Sequence, residues 1–257
     1  MKIDVLDLEG KKKKQVDLPS QFNEIYEPVL VKRAVIAMQN SERQAYGPFE
    51  MAGMQASSAL KKRRRDYRSM YGKGISRTPR KITWRRGMQM GWTGATAPNT
   101  VGGRRSHPPL VEKIWEDKLN KKEKTKAIRS TLSGLVQNKK LVVAVQDLEA
   151  IAKTKDAKNV LEKIGFANEL KRTKEEKLRS GKGKIRGRKK IEKRGVLIIV
   201  AETCKITMAA RNMPGCDIAN VNALNPALIA ARNGDLRQVI FTENALNKME
   251  KEKLYLK

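Results

Sequence analysis

Between residues 52 and 109 the chain shows no apolar periodicity from which a core could form. The stretch runs from Ala52 to Pro109, is rich in Gly, Ser, Pro and Arg, and has helical pattern on both sides. A structureless loop beyond about 12–15 residues is uncommon in a compact domain, and is usually functional or disordered. This one carries Lys61-Lys62-Arg63-Arg64-Arg65 near its start and Gly102-Gly103-Arg104-Arg105-Ser106-His107-Pro108-Pro109 at its end. Left uncovered, it repels itself. It makes physical sense when a polyanion surrounds it, so any core must be built from residues 1–51 and 110–257.

Those flanks carry the pattern of an α/β domain. Residues 1–18 read as two short strands around Glu9-Gly10-Lys11. Pro28 opens a helix, since proline is tolerated in a first turn. Its stripe is Leu30, Val31, Ala34, Val35 and Met38. After the insert a helix is expected from Leu110, with Val111, Ile114 and Trp115 on one face and a bend at Asn120-Lys121-Lys122. A longer helix follows through Ala127, Ile128, Thr131, Leu132, Leu135 and Val136. The rhythm then becomes strand and helix. Leu141–Val145 is a strand, Thr154–Ile164 a helix ending at Gly165, and Val196–Val200 a strand. Ile206–Asn212 is a helix, Asp217–Val221 a strand, Pro226–Ala231 a short helix and Gln238–Phe241 a strand. Thr242 caps a last helix with Ala245, Leu246 and Met249 inward. Buried apolar strands alternating with helices imply a mostly parallel sheet flanked by helices. The expected architecture is one globular α/β domain plus a long irregular basic loop.

A second basic stretch interrupts this rhythm. Residues 171–194 hold 13 Lys/Arg against 3 Glu. Residues 41–110 hold 15 Lys/Arg against 3 acids. Together they supply +22 of a formal net charge of +29, so the remainder is close to balanced. Solubility does not require that segregation; an extended anionic partner does. Lys and Arg contacts to phosphate dominate nucleic-acid affinity, and Arg also stacks on bases. Tyr67, Tyr71, Trp84 and Trp92 are interleaved with Arg65, Arg68, Arg85 and Arg86, and such aromatics stack on unpaired bases. RNA is favoured over DNA, because a long irregular arm suits folded RNA and no helix-turn-helix or zinc-finger spacing is present.

Other classes find little support. Gly72-Lys73-Gly74 and Gly181-Lys182-Gly183 are followed by Arg77 and Arg186 where a dinucleotide fingerprint needs glycine, and no GxxxxGK[ST] occurs. The single histidine, His107, has no neighbouring Cys, Asp or Glu with which to hold zinc. Asp147 and Glu149 follow a strand, where an α/β enzyme acting on RNA or nucleotides would place acids; a polar strand end or helix cap is the simpler reading. No cofactor is expected. Cys204 and Cys216 form no CxxC pair and read as small buried hydrophobes. The longest apolar run, Val196–Ala201, is far short of the roughly 20 residues of a spanning helix. No signal-peptide h-region follows Met1, so a cytoplasmic protein is expected, with an anionic membrane the weakest of the candidate partners.

The candidate RNA-contacting residues in the insert are Lys61, Lys62, Arg63, Arg64, Arg65, Arg68, Lys73, Arg77, Arg80, Lys81, Arg104, Arg105 and His107. Those in the second segment are Lys182, Lys184, Arg186, Arg188, Lys189 and Lys190. Several stretches also carry a resemblance. Lys32-Arg33-Ala34-Val35, Gly102–Pro109, Gly181–Arg188, Asp217–Val221 and Phe241–Leu246 occur in the order seen in one family. The chain resembles the fourth protein of the large ribosomal subunit, in its archaeal and eukaryotic form. The resemblance covers essentially the whole chain, and the motif at Gly102–Pro109 is its most specific part. It implies a non-enzymatic structural protein whose globular domain sits on the subunit surface among neighbouring ribosomal proteins. It also implies a loop that threads into large-subunit rRNA and helps line the nascent-peptide tunnel. Carried onto this chain, the tip lies between Thr78 and Ala97, with Trp84, Arg85, Arg86 and Met88 as the tunnel residues in contact with the nascent peptide. The absence of a long C-terminal extension favours the archaeal type.

Overall fold

Apolar runs too short for helices become the central strands of one six-stranded sheet. The computed structural model describes residues 1–230 and 234–256. In chain order the elements are β1 (Lys2–Leu6), β2 (Lys12–Asp17), α1 (Pro28–Ser41), β3 (Arg80–Arg86), β4 (Gln89–Gly94), α2 (Lys121–Gln137), β5 (Leu141–Ala144), α3 (Thr154–Leu161), α4 (Ala167–Lys174), β6 (Lys177–Leu178), β7 (Lys190–Ile191), β8 (Leu197–Val200), α5 (Lys205–Arg211), β9 (Asp217–Asn220), α6 (Pro226–Ile229), β10 (Val239–Thr242) and α7 (Glu243–Lys251). They divide into two compact units, Met1–Glu42 with Glu116–Lys257, and Arg43–Trp115.

The first unit holds the sheet, in the order β2-β1-β5-β10-β8-β9. Only β2 is antiparallel to its neighbour. Side chains alternate between faces along a strand, and the central strands feed two cores accordingly. Leu141, Val143, Leu197, Ile199, Val239 and Phe241 face one core, with Val31 and Val35 of α1, Leu132 and Leu135 of α2, and Leu246 and Met249 of α7. Ala144, Ile198, Val200 and Ile240 face the other, with Ala157 and Leu161 of α3 and Ile206 and Ala210 of α5. This is the parallel sheet covered on both faces that the apolar runs imply. Where the chain leaves and re-enters this unit, Asn40 Nδ2 donates to Asp117 Oδ2 at 2.6 Å. At the outer edge, Lys12, Lys13 and Lys14 of β2 are exposed.

Several boundaries differ from expectation. Leu110, Val111 and Ile114 are 59, 59 and 84 % exposed and are not helical. The bend expected at Asn120 is instead a helix start. Asn120 caps α2 and Glu123 reaches back to its backbone N–H, so helix begins at Lys121. The helix expected over Thr154–Ile164 ends its regular part at Leu161. It passes through a wide turn with Gly165 at φ 110°, then resumes as α4, which carries no apolar run to announce it. The short helix opened by Pro226 stops at Ile229, and Ala231 lies outside the described residues. Thr242 caps α7 as expected, its Oγ1 accepting from Ala245 N at 3.3 Å.

Arg237 is 6 % exposed and ties the end of the sheet together. Its Nε donates to Gly195 O at 2.7 Å. Nη2 reaches Val196 O at 3.0 Å and Gly215 O at 3.3 Å, and Nη1 reaches Leu228 O at 3.4 Å and Asp217 Oδ2 at 2.5 Å. Nearby, Gly195 N donates to Gly215 O at 2.8 Å. Gly215, at φ 74°, tolerates no side chain, because a Cβ there would fall 2.4 Å from Lys193 O.

Both thiols sit where burial disfavours the thiolate. Cys216 is 7 % exposed, and desolvation pushes it from an ordinary value of 9.0 up to about 12. An unfolded chain ionises this thiol near pH 9 and the folded chain does not. The stabilisation it gives is therefore complete below about pH 9 and is lost as pH rises toward 12. Urea midpoints of the protein and of Cys216→Ala, measured from pH 8 to 11, are expected to converge as pH rises; parallel curves would contradict this.

Candidate nucleic-acid interface

The second unit, Arg43–Trp115, is not irregular throughout. Its centre is an antiparallel hairpin of β3 and β4 joined by Gly87-Met88. Gly87 has φ 55°, the positive value that a tight two-residue hairpin turn needs at its first central position. Pairing runs from Arg80 opposite Gly94 to Arg86 opposite Gln89, with a bulge at Thr83 between Ile82 and Trp84. The bulge brings the Trp84 indole over bare Gly91, where a Cβ would lie 2.2 Å from Nε1. The other end of the hairpin is fixed by Ala95 N donating to Pro79 O at 2.9 Å, and Ala95 is 3 % exposed.

The basic run beside it closes into a loop. Met70 N donates to Lys61 O at 3.2 Å, Ser69 Oγ donates to Arg63 O, and Met70 is buried. Arg65 and Arg68 adopt φ 57° and 62°, uncommon for non-glycine residues. Lys62, Arg63, Arg64 and Arg65 are exposed on this loop. The Arg64 guanidinium lies 4.5 Å from the Tyr71 ring centre, and those of Arg68 and Arg85 lie 5.2 and 5.9 Å from that of Tyr67. The interleaving of aromatics and cations is therefore spatial as well as sequential. Lys61 pairs with Asp66 at 3.3 Å. Arg80 is occupied internally, by Ser76 O at 2.5 Å, Ser76 Oγ at 3.0 Å and Met70 Sδ at 3.3 Å. Lys73 Nζ sits 4.3 Å from the Trp92 ring centre. Arg77, Lys81, Arg85, Arg86 and Met88 are exposed.

The ends of the segment run backbone against backbone. A Cβ on Gly53, at φ 76°, would fall 2.6 Å from Arg104 Cα, and one on Gly103 would fall 2.0 Å from Ala97 O. The second glycine of the Gly102–Pro109 motif thus serves close packing, while Arg104, Arg105 and His107 are exposed beyond it. A cluster that periodicity did not reveal lies at the base. Tyr46 and Trp115 stack with centroids 6.3 Å apart, Arg43 lies 3.8 Å over Trp115 and Lys113 lies 4.3 Å over it. These four residues carry the compact unit past both limits of the 52–109 segment.

In the first unit, residues 171–194 begin on α4 and continue as a second small hairpin, β6 with β7. Between its strands, Arg179 N donates to Lys189 O at 2.8 Å and Arg188 N to Gly183 O at 3.1 Å. Gly181 and Gly187 supply φ 76° and 79°. Lys182, Lys184, Arg186, Arg188 and Lys189 are exposed around this turn. Other cations of the segment hold it down. Lys190 pairs with Glu176, Lys193 with Glu175 at 3.0 Å, and Arg172 with Glu169 at 2.7 Å.

Of the two acids considered for catalysis, Glu149 has structural work. Glu149 accepts from Thr242 Oγ1 at 2.6 Å and from Asn244 Nδ2 at 3.0 Å, fixing the start of α7, and Asp147 is exposed. Among the described residues no group of three or more His, Cys, Asp or Glu could hold a metal ion. Likewise, no described helix is long and apolar enough to cross a membrane.

A folded α/β anchor whose cations are gathered on two hairpin-bearing excursions defines a protein built to engage an extended polyanion. The chain belongs to the Ribosomal protein L4/L1 family, whose model matches residues 16–252. It is 38 % identical to large ribosomal subunit protein uL4 of Nanoarchaeum equitans, over 99 % of this chain and all of the relative. It is 35 % identical to the uL4 proteins of Archaeoglobus fulgidus and Methanocaldococcus jannaschii, over 96 % and 97 % of this chain and 97 % and 98 % of theirs. The match is to the archaeal type along nearly the full length.

Proposed function

We propose that the protein is a structural constituent of the large ribosomal subunit that binds large-subunit rRNA. The α/β unit anchors it among neighbouring ribosomal proteins, and residues 52–109 and 171–194 engage the RNA. In the insert, Lys62, Arg63, Arg64, Arg65, Arg77, Lys81, Arg104, Arg105 and His107 offer exposed donors. Lys73 offers another beside Trp92, and Lys61, Arg68 and Arg80 shape the loops that present these donors. In the second segment Lys182, Lys184, Arg186, Arg188 and Lys189 take the same part, with Lys190 bracing the hairpin. The hairpin end, with Trp84, Arg85, Arg86 and Met88, reaches the exit tunnel, where it meets both the RNA wall and the nascent peptide. The protein acts without cofactor or turnover, in cytoplasmic ribosomes.

The observation that carries this reading is the segregation of charge. Exposed cations lie on two glycine-turned hairpins and the loops beside them, while the sheet is sealed by two apolar cores. Family membership supplies the particular polyanion. Sedimentation of tagged protein through a high-salt gradient tests it. The protein is expected to remain with large subunits and to protect rRNA from footprinting reagents. Release into the light fractions at moderate salt, with no protected nucleotides, would overturn the proposal.

A further inference from the structure

The β3–β4 hairpin leaves a cup of about 560 Å³, lined among others by Trp84, Trp92, Met88, Met90, Lys73 and Arg80. We propose that this cup receives one unpaired nucleobase, stacked on Trp84, with Lys73 meeting the phosphate beside it. This rests on the RNA-binding reading and names the part of RNA that the hairpin takes.

Four observations support it. The volume falls within the roughly 300–1,000 Å³ of small-molecule sites. Trp84 is 55 % exposed yet held, because the bulge at Thr83 and the bare backbone of Gly91 seat one side of its indole. Thr83 Oγ1 donates to Gly91 O at 3.1 Å and locks that register. The lining contains Lys73, the internally bonded Arg80 and no acid, so the ligand it suits is both flat and negatively charged. A neutral peptide or lipid chain uses neither property, whereas a nucleotide uses both. Met88 and Met90 are flexible and polarizable, and adapt to the outline of a base. Met88 is 91 % exposed, so the mouth is open to solvent.

The test compares the full chain binding to an oligoadenylate and to an abasic oligoribonucleotide of equal length, with intrinsic tryptophan fluorescence as readout. Oligoadenylate is expected to quench and to bind about tenfold more tightly than the abasic strand, the scale of one base–aromatic stack. Trp84→Ala removes that preference, read from the anisotropy of end-labelled strands, whereas Trp84→Phe keeps most of it. Circular dichroism of both variants checks the fold. Equal binding of the two strands by the unaltered protein sinks the cup alone, as does a preference that survives Trp84→Ala. Quenching by an acidic peptide but not by oligoadenylate overturns it in favour of a peptide site. Failure to bind either strand removes the RNA reading and the cup with it.

Discussion

Removing residues 54–103 and joining Gly53 to Arg104 is expected to weaken binding to large-subunit rRNA by on the order of a thousandfold at about 50 mM salt. The junction is chosen from the neck of the segment, where Gly53 already packs against the Arg104 backbone. Twelve Lys/Arg and one Asp leave with the deletion. Each phosphate no longer neutralised flattens the salt dependence by about 0.7–0.9 in log–log slope, so releasing about six of them lowers it by about 4–5. The sheet, its two cores and the Asn40–Asp117 hydrogen bond lie outside the deleted residues, so the unfolding transition should persist. Filter binding at several salt concentrations reads the affinity and its slope together. An unchanged slope with an intact fold would show that the segment does not meet phosphate.

The largest effect on stability is expected from Arg237→Ala, at about 3–5 kcal/mol. The wild-type guanidinium serves four backbone carbonyls and one carboxylate in a site that is nearly closed to water. Truncation removes the donor that Gly195 O and Leu228 O share and leaves Val196 O and Gly215 O with only their backbone donors, Asp217 N and Gly195 N, and unpaired buried groups carry the full desolvation penalty. Against a total stability of roughly 5–15 kcal/mol the loss is severe. Asp217→Asn should cost much less, because the Asp217 side chain is 45 % exposed and the arginine keeps its carbonyls. Urea unfolding of both variants separates the two contributions. A midpoint for Arg237→Ala close to that of Asp217→Asn would mean that the carbonyl network matters little.

The parts of this molecule that were legible in its sequence are those held by local pattern. Leu141–Ala144, Leu197–Val200 and Val239–Phe241 are uniformly apolar because both faces of the sheet are covered, and that signal needs no context. Thr242 and Pro28 likewise mark helix starts by their own chemistry. The failures share a cause. Leu110, Val111 and Ile114 carry helical spacing, but nothing caps a helix before them, while Asn120 and Glu123 cap one eleven residues beyond Pro109. The β3–β4 hairpin was hidden because its stability lies in a bulge and in a tryptophan folded over a glycine, and neither has an apolar period. Arg237 looks like any other cation in a chain with 56 Lys and Arg, and only the folded sheet end shows that it is not free. The candidate site was legible as charge and composition. Its division into exposed cations and bracing ones, such as Arg80 and Lys190, depends on tertiary neighbours that spacing does not encode.

The edge strand β2 carries three consecutive exposed lysines, Lys12 paired with Asp4, Lys14 with Glu243 and Lys13 between them. An open strand edge is a template on which a second chain can add, and charged side chains on it, lysines especially, make that addition unfavourable. The opposite edge, β9, is only four residues long and offers little to extend. The lysines of β2 thus act between copies of this chain, disfavouring polymerisation through the sheet edge.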